Sequence, residues 1–260
     1  MFLRTKMWLR FGEVFFDETV TPRGVDILRF NEVSAPLPEC LLTDFYTIVI
    51  DLTAPEETLF ERIKKGSRNE IRRAQRDGVR YRSWTQRDAS VLGEFCSFYS
   101  RVTSAAGLPE LNRARLSAMT HTARVFLSCS EAPEGQTLTW HAYYVSGVRA
   151  RLIHSASIAA TLADASARNG AGHANRFHHW RDMMELKRAG MKLYDFGGWS
   201  PLLADEKRLG INRFKEEFGG TLIHQYNCLK GVSLVGKLAA AVYGRFNGYR
   251  RIASARPLVA

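Results

Sequence analysis

The sequence predicts an α/β fold in which a mixed central sheet is flanked by helices. Three observations support this prediction. Segment 46–52 is apolar at odd and even positions alike, which is typical of a strand buried on both faces. Two long β-rich runs within 138–157 predict a hairpin. A long helical pattern over 174–188 then leads into a strand at 193–196, so that strands and helices alternate as in a βαβ crossover.

Composition narrows the class of protein. The chain has 260 residues, of which 45% are hydrophobic, and no run approaches the roughly 20 apolar residues of a membrane span. Its four cysteines are scattered, without a spacing suited to zinc, and the N-terminal stretch is interrupted by basic residues. We therefore expect no metal and no disulfide scaffold, and a cytoplasmic location that could extend to the inner face of the membrane.

The charge balance is strongly positive. Lys and Arg number 37 against 26 Asp and Glu, a formal net charge of +11. Basic proteins often bind polyanions, so the partners to consider are nucleic acid, an anionic membrane surface or a ligand that carries phosphate. Simple solubility is the alternative explanation of this surplus.

The first strongly patterned helix is predicted from about Pro55 to Arg76. A capping box at Thr53–Glu56 should start it, and Gly78 should end it. Its second half contains one acid, Glu70, and many basic residues. These basic residues are Arg62, Lys64, Lys65, Arg68, Arg72, Arg73 and Arg76.

Spacing places several of these arginines on one face. Arg68, Arg72 and Arg76 are four residues apart, and Arg73 lies alongside them. Because clustered like charges repel each other, a bound anion would relieve this face, and we expect it to contact a phosphorylated substrate. A solvated basic surface is the alternative.

Further elements follow along the chain. Helices are predicted at 91–104, 111–122 and 211–218, and a strand at 125–127. The segment 168–174 should form a loop before the long helix. There Gly170, Gly172 and Ala174 would allow close approach of a phosphate-bearing donor to the helix N-terminus.

The C-terminal segment 232–251 predicts an amphipathic helix. Leu234, Leu238, Val242 and Phe246 follow helical spacing, opposed by basic residues. Such a helix suits an anionic membrane surface, or it can dock on the domain with a solvated basic edge.

Several motifs resemble those of the FemABX aminoacyl transferases. Residues 68–79 are similar to that family's R-x-x-I-R-K-A-x-x-x-G-V signature. Residues 194–198 and 211–220 resemble its Y-D-F-G-G and F-K-x-x-F-G-G motifs, and residues 172–176 with Trp180 resemble a helix start between them. The motifs occur in the family's order.

This resemblance implies the GNAT N-acyltransferase fold and attack of a substrate amine on an activated acyl group. The donor would be aminoacyl-tRNA or acyl-CoA. The acceptor would be a phosphorylated, possibly lipid-linked precursor of the cell envelope or of a polysaccharide. FemABX enzymes carry two GNAT-like domains, so we expect a remnant of the first at 1–52, a basic connecting helix at 53–80, a catalytic domain at 81–230 and the basic amphipathic helix at 231–260.

Three residues are expected to carry the chemistry. Lys215 resembles the lysine of the F-K-x-x-F motif and would stabilise the oxyanion. His141, on a predicted hairpin strand, would take the proton from the amine, with His154 on the paired strand as the alternative. Asp195 ends a strand and would orient the acceptor amine, or its carboxylate would hold the glycine turn that follows.

Substrate contacts are expected from a wider set, which is Arg68, Arg72, Arg73, Asn175, Trp199, Arg213 and Phe214. Asn175 could instead cap a helix, and Trp199 could simply close the core.

Three functions remain open at this point. The first is FemABX-like transfer of an aminoacyl or acyl group to an amine. The second is acetyl-CoA-dependent acetylation of an amino sugar or small amine. The third is non-enzymatic binding of RNA or a membrane surface.

Overall fold

The chain divides into two compact units. The computed structural model describes residues 1–6, 8–20, 23–85, 89–107, 110–122, 124–201 and 206–251. The first unit comprises residues 1–47 and 223–260, and the second comprises residues 48–222. Across the part of the chain that the structure describes, no helix has the length and hydropathy needed to cross a bilayer.

The second unit contains most of the helices. Its strands are the end of β4 (Leu41–Asp51), β5 (Arg80–Trp84), β6 (Val125–Glu131), β7 (Thr137–Ser146), β8 (Arg149–Ser157) and β9 (Leu193–Asp195). Its helices are α1 (Glu56–Arg62), α2 (Lys65–Arg76), α3 (Ala89–Ala105), α4 (Arg113–Thr120), α5 (Ala165–Arg188) and α6 (Glu206–Glu216), with a 3₁₀ turn at Ile158–Thr161.

The sheet of this unit is mixed, as the sequence predicts. Its strands lie in the order β4, β9, β8, β7, β6 and β5. β8 and β9 are parallel, and the other pairs in this series are antiparallel. The predicted hairpin is present as β7 and β8, and β9 follows the long helix α5 at the predicted place.

Helices cover both faces of this sheet. Along β7, Tyr143 packs in the core that includes Phe177 and Met183 of α5, whereas Trp140 and Ala142 pack in a second core with α3. Successive strand residues point to opposite faces, so β7, which is buried along most of its length, contributes to both cores.

The predicted single helix over 55–76 is wrong, because the chain breaks it into α1 and α2. Ile63 is extended (ψ 136°) and buried, and Lys64 precedes α2. The Lys64 amide donates to the carbonyl of Glu217 at 2.8 Å instead of continuing the helix. The capping box is also wrong. Pro55 occupies the N-cap position, and the Thr53 hydroxyl donates to Asp51.

Glu217, just after α6, also binds α2 and α5 through its side chain. Its carboxylate accepts hydrogen bonds from Ser67 at 2.7 Å and from Arg176 at 2.9 Å. With the Lys64 amide on its carbonyl, this one residue ties three helices together.

The predicted loop at 168–174 is wrong as well. Those residues lie within α5, whose N-cap is Asp164, with a carboxylate that accepts the Ala167 amide at 2.6 Å. From Arg168 onward the amides are used inside the helix, since the Arg168 amide already donates to the Asp164 carbonyl. Gly170, Gly172 and Ala174 therefore present no free helix N-terminus to a phosphate.

The first unit contains β1 (Phe2–Lys6), β2 (Leu9–Phe15), β3 (Ile27–Val33), the start of β4, most of β10 (Thr221–Gly231), α7 (Leu234–Phe246) and β11 (Arg250–Arg251). β2 and β3 are parallel, while β1 pairs with β2, β10 with β3 and β11 with β4 in antiparallel fashion.

The division of the chain differs from the predicted ranges. The N-terminal strands share a unit with the C-terminal helix, and the segment 53–80 belongs to the same unit as the predicted catalytic domain. The last nine residues of the predicted segment 231–260 lie outside the described part of the chain.

Candidate active site

A cavity of about 720 Å³ opens in the second unit beside the turn that follows β9. Its polar and charged lining comes from Tyr99, Thr103, Arg151, His154, Ser155, Ser157, Asn175, His179 and Lys215. Small and apolar residues complete the wall, Phe214 and Ile211 of α6 among them. The described residues of this lining include two permanent cations and no carboxylate.

Lys215 lines the cavity at the turn after β9. Its ammonium donates hydrogen bonds to the carbonyl oxygens of Gly197 and Gly198 at the edge of the cavity. The side chain is half-buried, so water screens its charge less than at an open surface. Lys215 thus provides positive charge beside the cavity.

The turn after β9 has a fixed shape. Gly197 has a left-handed backbone (φ 62°), and a Cβ at this position would lie 2.5 Å from the Leu152 carbonyl oxygen. Only glycine fits such a site without displacing backbone. The turn therefore holds the two carbonyl groups that bind Lys215 in place.

Asp195 holds this turn from inside the sheet. It is fully buried, accepts the Gly197 amide at 2.7 Å and forms an ion pair with Arg149. It does not line the cavity, so the structure favours the turn-holding role over the predicted role of orienting an acceptor amine.

His141 lies behind the cavity wall. The ring is fully buried, its Nε2 lies 3.1 Å from Oδ1 of Asn175, and Asn175 is the residue that faces the cavity. The Nδ1 atom lies 2.6 Å from the carboxylate of Asp182. His141 does not line the cavity, so Asn175 separates it from a bound substrate.

Asp182 is the centre of a buried hydrogen-bond network. Besides His141, its carboxylate accepts the hydroxyl of Tyr81 at 2.9 Å and that of Tyr143 at 2.6 Å. Burial raises the pKa values of both tyrosines, and that of Tyr194, far above the ordinary range, so each phenol keeps its single proton.

These single protons determine the direction of the chain of hydrogen bonds. The Tyr143 proton goes to Asp182, so the 2.8 Å bond between Tyr143 and Tyr194 must use the Tyr194 proton. The 2.6 Å bond between Tyr194 and Nδ1 of His179 must then use a proton on that nitrogen. His179 is thereby assigned the tautomer with hydrogen on Nδ1 and a lone pair on Nε2.

His179 also lines the cavity, and its Nδ1 is turned towards Tyr194. The Nε2 lone pair is therefore the basic group that the ring offers to a ligand. Burial, and after it the neighbouring His141 and Lys215, lowers the pKa of His179 well below its ordinary value of 6.5, so the ring stays neutral.

Sequence reasoning missed His179. Its signal was the spacing on the long helix: Asn175, His179 and Asp182 are separated by four and three residues and share one face. The helix predicted over 174–188 already contains all three residues, so this face was visible in the sequence despite the wrong helix start.

Three side chains of the network are also suitable metal ligands. His141, His179 and Asp182 each place one ligand atom within 4.8 Å of the others. The hydrogen bonds already described use Nδ1 of both histidines and both carboxylate oxygens. The arrangement therefore fits a proton-ordering network better than a cation site.

The predicted arginine face does not reach the cavity. Arg68 donates to the Glu61 carbonyl, Arg72 lies 5.0 Å over the ring of Phe60, and Arg73 pairs with Asp77 at 3.7 Å. Arg72 and Arg73 are exposed to solvent. These contacts are those of a solvated helix surface, the alternative left open from the sequence.

Of the other residues predicted to contact a substrate, some line the cavity and others do not. Asn175 and Phe214 line the cavity, whereas Arg213 is exposed outside it. Trp199 packs against the core and donates to Glu216 at 2.9 Å, so it does not line the cavity either.

Comparison with known proteins identifies the fold. No family model matches the sequence, and no curated protein matches it either. Among solved structures, the chain is similar to FemX, with 13% identity over 70% of this chain and 61% of the FemX chain, and a TM-score of 0.57. The chain thus spans less than two thirds of the FemX chain.

Two further structures share the fold. One is the C-terminal domain of a putative lysylphosphatidylglycerol synthetase from Agrobacterium fabrum, at 13% identity over 84% of this chain and 72% of that one, with a TM-score of 0.53. The other is L-PGS from Bacillus licheniformis, at 12% identity over 86% and 74%, also with a TM-score of 0.53.

These likenesses confirm the predicted fold class. The chain is an α/β protein with a mixed sheet flanked by helices, and it has the fold of FemX, as the resemblance to the FemABX family implied. At these identities the comparison establishes the fold alone, and the activity must be argued from the site.

Proposed function

We propose that the protein is an N-acyltransferase that transfers an aminoacyl or acyl group from an activated donor to an amine bound in the cavity beside Gly197. The observation that carries this proposal is the convergence of a neutral, tautomer-fixed imidazole (His179), an amide (Asn175) and an ammonium (Lys215) on one cavity. Acyl transfer needs a proton acceptor, a positioned amine and a charge opposite the developing oxyanion, and these groups match the three needs.

The reaction begins when the amine nitrogen attacks the carbonyl carbon of the donor. As the carbon–nitrogen bond forms, the nitrogen becomes acidic, so even a base with a lowered pKa can accept its proton. In this proposal, Nε2 of His179 accepts that proton, and the Tyr194 hydroxyl oxygen stabilises the resulting imidazolium by accepting from Nδ1. Asn175, one helical turn before His179, orients the amine.

Lys215 acts on the oxygen of the same carbonyl group. Negative charge develops on this oxygen in the tetrahedral intermediate, and an ammonium held by the Gly197 and Gly198 carbonyls is already in place to stabilise it. When the intermediate collapses, the bond to the leaving oxygen or sulfur breaks, and the leaving group takes the proton from His179. His179 is then neutral again for the next cycle.

The charge of the cavity supports an anionic substrate. Arg151 and Lys215 line it, and its described lining holds no carboxylate. A phosphorylated precursor of the cell envelope or of a polysaccharide is therefore the acceptor that we propose. The name of one protein with the same fold agrees with this class, since it refers to lysylphosphatidylglycerol, an aminoacylated phospholipid.

Two donors remain within the proposal. FemABX enzymes use aminoacyl-tRNA and other GNAT proteins use acyl-CoA, and the cavity holds no feature that selects between them. The glycine-containing segment that was predicted to approach a phosphate-bearing donor lies inside α5, so it does not select between the two donors.

The test is transfer of a labelled acyl group by the full chain. One arm supplies labelled aminoacyl-tRNA and the other labelled acetyl-CoA, each with a panel of amino sugars and nucleotide- or lipid-linked envelope precursors. We expect a labelled amide from one donor, and we expect its formation to require His179. If neither donor gives a product and RNA or vesicles still bind, the chain is a binding protein that keeps the fold.

A further inference from the structure

Helix α7 of the first unit exposes its large apolar side chains. Leu234, Leu238, Val242 and Phe246 follow one another at four-residue intervals and are 84%, 70%, 53% and 81% exposed. Residues at this spacing form a continuous stripe along one side of a helix. An apolar stripe of this extent on a protein surface normally marks an interaction site.

The opposite side of α7 explains why the stripe faces outward. Gly236, Ala240 and Gly244, also four residues apart, are the buried residues of this helix. A Cβ at Gly236 would lie 1.8 Å from the Asp26 carbonyl oxygen, and one at Gly244 would lie 2.6 Å from a methyl group of Leu41. Close packing through small residues therefore fixes the helix orientation, and the leucines cannot turn inward.

The start of the helix is fixed as well. The Ser233 hydroxyl accepts the Gly236 amide at 3.0 Å and donates to the carboxylate of Asp26 at 2.9 Å. The apolar stripe thus belongs to a helix that is capped and docked, and the outward direction of its side chains follows from the packing of the unit. The sequence also allowed a helix docked on the domain with a solvated basic edge. The structure shows that docking, but through the small residues and not through the apolar stripe.

The charges on α7 are of one sign. Lys237 and Arg245 lie on it, and the helix contains no acidic residue. Both side chains belong to exposed residues, in a chain with a formal net charge of +11. A long apolar stripe with basic residues and no acids is the pattern of a helix that lies in the interface of an anionic bilayer.

We infer that α7 binds an anionic lipid surface. The stripe from Leu234 to Phe246 enters the boundary between head groups and acyl chains, and Lys237 and Arg245 contact the phosphate groups. A second copy of this chain fits less well, because packing two such stripes together would bring the lysine and arginine of both copies close to each other. This inference does not depend on the proposed function.

The test measures sedimentation of the full chain with vesicles. One set contains phosphatidylcholine with a third of phosphatidylglycerol, and the other contains phosphatidylcholine alone. We expect binding to the anionic vesicles, much weaker binding to the neutral ones, and a decline as salt increases. The Leu238→Ser variant should bind anionic vesicles roughly tenfold less tightly, because an interfacial leucine is lost.

The matched control is Leu3→Ser. Leu3 is 56% exposed and lies on β1, a different element from the one that carries the stripe, so this variant should bind as the parent does. Thermal unfolding of both variants should match the parent, since neither removes a buried group. Equal binding by parent and Leu238→Ser would overturn the inference, and so would a dimer that dissociates on this substitution while no vesicles bind.

Discussion

Two helices of the second unit, α2 and α5, differ in where their polar groups lie. The α2 helix carries its arginines at its surface, where Arg68, Arg72 and Arg73 contact a carbonyl, an aromatic ring and an aspartate respectively. The α5 helix carries His178, His179 and Asp182 fully inside, where each has specific hydrogen-bond partners.

The comparison shows which kind of pattern indicates chemistry. A dense run of charge on an exposed helix costs little to maintain, because water solvates each side chain. Burying imidazoles and a carboxylate is costly unless every hydrogen-bonding group is satisfied. The network on α5 is therefore the stronger sign of a site, although α2 is far more conspicuous in the sequence.

The largest effect is expected from removing the proposed base on α5. His179→Gln should lower kcat by about 10²- to 10⁴-fold, because a positioned general base contributes that much. The assay is initial-rate transfer with whichever donor proves active. A variant that keeps nearly full activity would move the proton transfer away from α5.

Removal of the cavity cation should have the next largest effect. Lys215→Met keeps the length of the side chain but loses the charge, and we expect kcat to fall by roughly 10²- to 10³-fold, as for the loss of an oxyanion donor. Lys215→Arg is the partner variant, and partial recovery there would assign the effect to charge. A fall in substrate affinity with kcat unchanged would contradict the oxyanion role.

A smaller loss is expected at Tyr194, which we regard as a positioning residue for His179. Tyr194→Phe removes the acceptor of the Nδ1 proton, so His179 can adopt the other tautomer, and we expect kcat to fall by roughly tenfold to a hundredfold. The pH profile of kcat should move with it, which a purely structural effect would not produce. Unchanged kinetics would show that the tautomer is irrelevant.

Three histidines with lowered pKa values should make stability depend on pH. Burial, and then Arg115 and Arg151, lowers the pKa of His154 to about 4, and burial lowers those of His178 and His179 well below 6.5. Below pH 6.5 these histidines bind protons in the unfolded chain but stay neutral in the folded chain. The stabilisation is therefore complete above pH 6.5 and declines as the pH falls towards 4.

Urea unfolding between pH 7.5 and 4 measures this dependence. We expect the free energy of unfolding to fall across that range, and His154→Gln to fall less steeply than the parent because one of the three groups is gone. A parallel pair of curves would mean that His154 titrates normally in the folded chain.

The smallest effects are expected on α2. Arg72→Ala and Arg73→Ala should change kcat and KM by less than about threefold, since substitutions at exposed sites rarely exceed 0.5 kcal/mol. The measurement is kcat and KM for these two variants, assayed in parallel with His179→Gln, so that α2 and α5 are compared under the same conditions. A large rise in KM for either would show that the arginine face binds substrate after all.

The sequence predicted the parts of the fold that local pattern controls. The β7–β8 hairpin and β9 appear as expected because alternation and glycine turns act over short distances. The break between α1 and α2 could not be predicted, because it depends on a hydrogen bond from Lys64 to Glu217, more than 150 residues away.

The start of α5 was a different kind of error. Glycine inside a helix costs only about 1 kcal/mol relative to alanine, a penalty that tertiary packing readily overcomes. Gly170 and Gly172 were interpreted as a loop, while the capping residue, Asp164, lay six residues earlier. Asn175, His179 and Asp182 nevertheless fell within the predicted range 174–188, so the wrong start did not divide their shared face.

For the site itself, motif and structure supplied different residues. Lys215, Asn175 and Phe214 were expected from the family resemblance, and they line the cavity. His141 was expected from its strand and lies one layer behind it. The role of His179 could not be predicted, because it depends on hydrogen bonds that join β7, β9 and α5.

The attachment of three helices to Glu217 has one more consequence. Lys215 lies only two residues before it, and the α2 groups that bind Glu217 are the Lys64 amide and the Ser67 hydroxyl, neither of them an arginine head group. The position of the ammonium beside the cavity therefore depends on how α2 and α5 pack against the residue that follows α6.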